Sequence, residues 1–236
     1  SLLLFFTFAE KFGGQTFHIL NRMKREVNIL FPPGEGLAAR RGVCYDDKKE
    51  EIIMNILIVV DMQKDFISGP LGTAEARTIV PYVAEKAKNT PRENLFVTLD
   101  THQPNYMETN EGRHLPVPHC IEGTEGHALD GAIAAAVDGI PASRIICKPT
   151  FGSVALTDML RALPEPPTEI EFVGVCTGIC VISNAMLCKA AFPEANIVID
   201  AALCACVTPE SHDTALNAMR LCQMEILHQG EEPWRK

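Results

Sequence analysis

Gly174-Val175-Cys176-Thr177-Gly178-Ile179-Cys180-Val181-Ile182-Ser183-Asn184-Ala185 is the stretch on which the fold turns. It overlaps the end of an apolar run of strand length, Ile170 to Val175, and leads into a run with helical spacing, Cys180 to Ala191. That order predicts a strand feeding a helix, with Cys180 in the first helical turn. Unpaired N–H groups at a helix start attract negative charge. A thiolate placed there is stabilised and its pKa falls. An oxyanion formed nearby draws on the same donors. These properties suit a cysteine nucleophile; a small buried apolar side chain is the other reading of the position.

The same pattern recurs on either side. Apolar runs lie at Ile56 to Val60, Asn94 to Leu99, Arg144 to Cys147, Asn196 to Ile199 and Gln223 to Leu227. Strands apolar on both faces belong in a parallel sheet covered by helices. Helical spacing fills the gaps, over Ala74 to Lys88, Leu129 to Val137, Val154 to Leu163, Val181 to Ala191 and Pro209 to Leu221. The β-α alternation predicts an α/β fold: a single doubly wound, three-layer αβα domain with a mostly parallel sheet. The one long segment without periodicity is Thr101 to Ala128, and so long a loop in a compact domain is usually functional.

Bulk properties narrow the class. The 236 residues suffice for one domain with a full core, and 47% apolar and 22% charged content is ordinary for a globular chain. A net charge of -9 argues against a nucleic-acid partner or an anionic membrane. Nine cysteines without framework spacing point to a reducing, cytoplasmic setting. No apolar run approaches the ~20 residues of a membrane span.

Residues 1–53 differ in character. They join a short apolar start, a basic patch at Arg22, Lys24 and Arg25, a Pro32-Pro33-Gly34 break and a charged tail. The start lacks the leading basic residue and small-residue cleavage site of a signal peptide. A small helical cap is one reading. The favoured one is an extension of doubtful native status: Lys48-Lys49-Glu50-Glu51 can be encoded by a purine string resembling a ribosome-binding sequence, just upstream of Met54. The domain proper is then expected over 54–236.

Ligands of an open parallel sheet bind beyond the carboxyl ends of its strands. Asp61, Asp100, Lys148 and Cys180 all fall at such ends. No G-x-G-x-x-G fingerprint or P-loop is present, which weakens a nucleotide role. Asp61-Met62-Gln63-Lys64-Asp65-Phe66, Lys148, and Gly174-Val175-Cys176-Thr177-x-x-Cys180-Val181 resemble the cysteine hydrolases of the isochorismatase-like superfamily, over about Met54 to Leu227. The resemblance implies a catalytic set of Asp61, Lys148 and Cys180. Asp61 accepts the thiol proton and later delivers it to ammonia, and Lys148 supplies positive charge. It also implies a cis peptide between Val175 and Cys176, with the N–H groups of Cys176 and Cys180 as an oxyanion hole. Cys176 is a rival nucleophile, and one that could pair with Cys180 on oxidation.

A second cluster resembles the metal site of nicotinamidases within that superfamily: Asp100-Thr101-His102, then His119 in Val117-Pro118-His119-Cys120. The resemblance implies one divalent ion bound by Asp100, His102 and His119, with a further ligand from the loop. Glu111 fits that place better than Glu108. The mixed O/N set suits Zn foremost, or Mn or Fe. Such an ion binds a pyridine nitrogen and holds the carboxamide over the thiol. Phe66 and Leu71 match positions that line the ring pocket. His114 and His127 are expected to be solvated, His212 structural, and Cys120 packed beneath the loop. The implied activity is hydrolysis of nicotinamide, and of pyrazinamide, to the acid and ammonia. The alternatives are hydrolysis of another small amide or carbamoyl or ureido compound, and a non-catalytic binding protein. Members are often dimers or larger, so a homo-oligomer is compatible. Most relatives carry Thr-Asp where this chain has Thr177-Gly178, so a helix cap worth up to ~1 kcal/mol is expected to be missing.

Overall fold

Strands β1 (Asn55–Val60), β2 (Leu95–Asp100), β3 (Ile145–Lys148), β4 (Glu169–Val175), β5 (Asn196–Ala205) and β6 (Glu225–Leu227) form one sheet in the order β3-β2-β1-β4-β5-β6. This computed structural model describes residues 54–235, so the expectations about residues 1–53 lie outside the described residues. Every pairing is parallel, which sharpens the expected mostly parallel sheet. The direction of winding reverses between β1 and β4, and such a switch point opens a crevice at the carboxyl ends.

Alternation along β1 explains the three layers. Ile56, Ile58 and Val60 pack on one face with Phe172, Val181, Leu156 and Leu216. That face carries α5 (Val154–Arg161), α6 (Ile182–Ala191) and α7 (Pro209–Leu221). Leu57 and Val59 pack on the other with Ile79, Val83 and Ile133, from α2 (Ala74–Asn89) and α4 (Gly131–Ala136). Both faces are dry, so the strands read as continuous apolar runs rather than alternating ones.

Helix starts follow their caps. Thr73 accepts from Ala76 N at 3.0 Å, and Thr208 and Ser211 form a capping box ahead of Pro209. Asp130 accepts from Ala132 N at 2.9 Å, which starts α4 two residues later than its spacing suggested. The loop 101–128 is irregular as expected, but it folds a 3-10 turn (Tyr106–Glu108) and a short helix, α3 (Asn110–His114), and bridges His102 to Ile121. A four-residue helix, α1 (Lys64–Ile67), follows β1. The largest departure is β5, which does not stop at Ile199. A register shift against β4 near Phe172 and Gly174 carries it on to Ala205. Asp200 is therefore inside the strand, accepting from His228 Nδ1 at 2.9 Å. Among the described residues no helix is long and apolar enough to cross a membrane.

Candidate active site

Three strand ends and one turn meet at the switch point. Asp61 is the first residue after β1 and adopts φ 50°, which turns the chain off the sheet. Asp100 ends β2, and Lys148 ends β3 in register with it. Gly174, near the end of β4, has φ 114°, and a Cβ there would run into the Val60 carbonyl oxygen. Only glycine allows this close approach of β4 to β1. The Val175–Cys176 peptide is cis, as the resemblance implied.

Lys148 connects the cluster. Its Nζ is 2.6 Å from Asp61 Oδ2, 3.1 Å from Asp100 Oδ1 and 3.4 Å from Cys180 Sγ. Asp61 and Lys148 are shut off from solvent, a costly arrangement that only such close pairing compensates. Burial opposes the Lys148 charge, but Asp61, Cys180 and Asp100 outweigh it and raise its pKa. Burial raises the Asp61 carboxyl against the pull of Lys148, and Asp100 adds to the rise. Thr98 Oγ1 donates to Asp61 Oδ1 at 2.6 Å. Asp61 Oδ2 is held by the Lys148 ammonium.

Cys180 departs from expectation in two respects. It is not in the first turn of α6 but in a single π-type turn, Thr177–Val181, that precedes it. Its thiol pKa is raised well above the usual range rather than lowered. Burial is the main cause and Asp61 adds to it, while Lys148 opposes. Burial thus favours the thiol form of Cys180, and its proton must pass to a neighbouring base for the sulfur to react.

Beside this cluster, Asp100, His102, Glu111 and His119 bring their ligand atoms within 4.8 Å of one another. His102 Nε2 is 2.9 Å from Asp100 Oδ2 and 3.6 Å from Glu111 Oε1, and His119 Nε2 is 3.4 and 3.8 Å from the same two atoms. His102 Nε2 is buried with no aligned hydrogen-bond partner. His119 Nδ1 is 2.8 Å from the Val117 carbonyl, a bond that makes it the donor and leaves Nε2 as a lone pair. Two imidazoles, one of them with its Nε2 orphaned, and two carboxylates fit a divalent metal. Glu111 is supplied by α3, whereas Glu108 is exposed and outside the group. His114 is exposed. His127 is not simply solvated as expected: its Nε2 lies 2.9 Å from Thr101 Oγ1, because the loop folds back over β2.

A cavity of about 360 Å³ opens onto both groups, lined by Phe66, Leu71, Glu111, His119, Val175 and Cys180 among others. The Phe66 ring packs 5.4 Å from that of His119.

Several positioning residues escaped the sequence reading. Gln63 Nε2 donates to the Asp100 and His127 carbonyls at 2.8 Å each, and its Oε1 accepts from Asp100 N at 2.7 Å. Its signal was its place two residues after Asp61. The Tyr106 ring backs both histidines at 4.7 and 5.0 Å. Asn184 Nδ2 donates to the Cys180 carbonyl at 2.8 Å and its Oδ1 accepts from Ser153 N at 2.9 Å, tying the turn to α5. His212 is buried as expected, between Thr177 Oγ1 at 2.8 Å and Glu232 Oε1 at 3.2 Å. Cys120 is buried, its N–H donating to Asp65 Oδ2 at 2.7 Å.

The turn departs from expectation at two points. Cys176 Sγ faces Cys206 Sγ at 3.1 Å rather than Cys180, because β4 and β5 run side by side to this point. Gly178 does not stand at a vacant helix cap. Its N–H points at Cys206 Sγ, 3.4 Å away, and α6 begins four residues later.

A doubly wound parallel sheet with a buried Asp-Lys-Cys cluster beside an acid-imidazole group defines a three-layer αβα protein with a candidate active site at its switch point. The chain belongs to the isochorismatase family, whose isochorismatase domain matches residues 55–230. It is 30% identical over 139 residues to an isochorismatase family protein PncA of Bacillus subtilis, covering 55% of this chain and 75% of that one. The crystal structure of nicotinamidase PncA from Bacillus subtilis superposes with a TM-score of 0.64 at 25% identity, covering 74% of this chain and 99% of that one. A pyrazinamidase of Pyrococcus horikoshii, solved in complex with zinc, shares the fold with a TM-score of 0.59 at 23% identity, over 74% and 98% of the two chains.

Proposed function

We propose that this hydrolase is a metal-dependent nicotinamidase that converts nicotinamide to nicotinate and ammonia, and accepts pyrazinamide. The observation that carries the reading is one cavity bordered at once by Cys180 and by the Asp100-Glu111-His119 side of the acid-imidazole group. A flat aromatic amide with a ring nitrogen needs two anchor points, one for the nitrogen and one for the carbonyl. The apolar walls, with Phe66 and Leu71, suit the ring between them.

In this reading Asp100, His102, Glu111 and His119 hold a divalent ion, zinc foremost. Such an ion supplies a Lewis-acid site for a ring-nitrogen lone pair. The protein's own residues do the rest. Asp61 Oδ2 takes the Cys180 proton under the charge of Lys148. The sulfur attacks the carboxamide carbon, and the N–H groups of Cys176 and Cys180 receive the oxyanion. Asp61 returns the proton to the departing ammonia, leaving a thioester. Asp61 then deprotonates water, which releases the acid. The free thiols suit the reducing cytoplasm assigned from the sequence.

The test is ammonia release from nicotinamide by the full chain loaded with Zn, Mn or Fe, beside pyrazinamide and a carbamoyl compound. Turnover of the pyridine amide supports the reading. Turnover of the carbamoyl compound alone reassigns the substrate, and no turnover with any metal overturns it.

A further inference from the structure

Three thiols border the same cavity: Cys176, Cys180 and Cys206. The proposed reaction uses only one of them. Cys206 follows β5 directly, and the parallel register that pairs Val175 with Ala205 sets Cys176 beside Cys206. Neighbouring strands lie about 4.8 Å apart, within the span that a disulfide bridges. The two sulfurs are already 3.1 Å apart, with Cys176 donating to Cys206. Ser211 Oγ donates to the Cys206 sulfur at 3.1 Å, and Gly178 N at 3.4 Å. Cys176, Gly178 and Ser211 all lie within donor reach of this sulfur, the Ser211 hydroxyl sharing its one proton with the Thr208 carbonyl at 2.8 Å, just ahead of the N-terminus of the thirteen-residue α7. That environment favours a thiolate. Cys206 is buried, but besides the cavity it also lines a groove between the π-type turn and α7, with Gly178, Ser211 and Ala215.

We propose that Cys206 is a peroxide-reactive thiolate and Cys176 its resolving thiol, so that the pair is a reversible oxidation site distinct from Cys180. The Cys206 sulfur attacks one oxygen of a hydroperoxide such as hydrogen peroxide. The O–O bond breaks, hydroxide leaves, and Cys206 becomes a sulfenic acid. Cys176 then attacks that sulfur, the S–O bond breaks, and its proton leaves with the oxygen as water. Two electrons have passed from the two sulfurs to the peroxide, and a disulfide remains. A dithiol returns the pair to the reduced form. The cross-link ties β5 to the turn that carries Cys180. The titration agrees with these roles: hydrogen bonding from Cys176 lowers Cys206 to about 5, against its burial, with Ser211 and Gly178 assisting. The same partnership and burial raise Cys176, and burial raises Cys180.

The experiment treats the full chain with hydrogen peroxide, blocks remaining thiols, and maps the peptides by mass spectrometry. The readout is bond formation, so it stands or falls independently of the amide substrate. A Cys176–Cys206 cross-link that dithiothreitol removes supports the proposal. Cys206→Ser is expected to give no cross-link, and Cys176→Ser to leave a dimedone-reactive sulfenic acid at position 206. Oxidation of Cys180, or a Cys176–Cys180 disulfide, while Cys206 stays open to alkylation would overturn it. So would an alkylation rate at Cys206 that rises only near pH 9 instead of levelling off above about 5.

Discussion

Lys148 Nζ lies 2.6 Å from Asp61 Oδ2 across the intervening strand β2, with both side chains closed to solvent. The contact joins the first and third strands of the sheet and fixes the charge balance of the site. Each partner is tolerable in a dry interior only because of the other. Lys148→Met is expected to cost about 3–5 kcal/mol, because it strands the Asp61 charge. Lys148→Met with Asp61→Asn is expected to recover part of that loss. Chemical denaturation of the three proteins checks this, and additive losses would refute the coupling.

The rate profile should follow Asp61. Its carboxyl is raised above the usual value of about 3.9 by burial first and by Asp100, against Lys148. The ionised form is the base, so kcat/KM is expected to climb as pH rises through that raised pKa. Lys148 is itself raised, so its charge persists and the plateau extends into the alkaline range. Asp61→Asn is expected to lower turnover by ~10²–10⁴-fold and to remove the acid limb. An unchanged limb in that variant would assign it elsewhere.

Cys180→Ala should reduce turnover by at least ~10⁴-fold while leaving the melting temperature near that of the parent, since the change removes one sulfur atom from a core residue that already borders a cavity. Turnover and thermal melting of the variant decide it. Retained activity would move the nucleophile to another thiol of the cavity.

Glu111 sits on α3, a short helix of the long loop, and its carboxyl is raised by burial and by Asp100, with the histidines opposing. A divalent ion relieves that crowding of carboxylates. Zinc at a hundredfold excess over its Kd is expected to add about 2.7 kcal/mol of stability. Glu111→Gln should shrink that increment and lower bound metal. Metal analysis beside thermal melting checks both, and undiminished metal content would exclude Glu111.

Gln63 holds the backbone of Asp100 from both sides, through N–H and carbonyl. Gln63→Leu leaves those buried groups unpaired and is expected to cost about 2–4 kcal/mol. By loosening Asp100 it should also weaken metal binding ~10–100-fold. A variant of normal stability and normal metal affinity would reduce Gln63 to packing.

The linear chain was enough for the sheet, because strands dry on both faces need unbroken apolar runs, and those runs end in Asp61, Asp100, Lys148 and the turn before Cys180. The motif around Asp61 and Cys180 and the pair Asp100 and His102 were legible for the same reason: their spacing is local. Glu111 was preferred over Glu108 by resemblance alone, and the fold then set it facing the histidines.

Tertiary structure decided what depends on neighbours far apart in the chain. Desolvation is a property of the packed interior, so no local pattern revealed that the Cys180 thiol is raised rather than lowered. Strand register, not spacing, matched Cys176 with Cys206 and passed over Cys180, although Cys180 lies only four residues away. The apolar run Asn196 to Ile199 breaks at Asp200, which marks the strand end expected from the sequence. Instead, His228 and Lys86 meet its charge, so β5 continues and delivers Cys206 to the cavity.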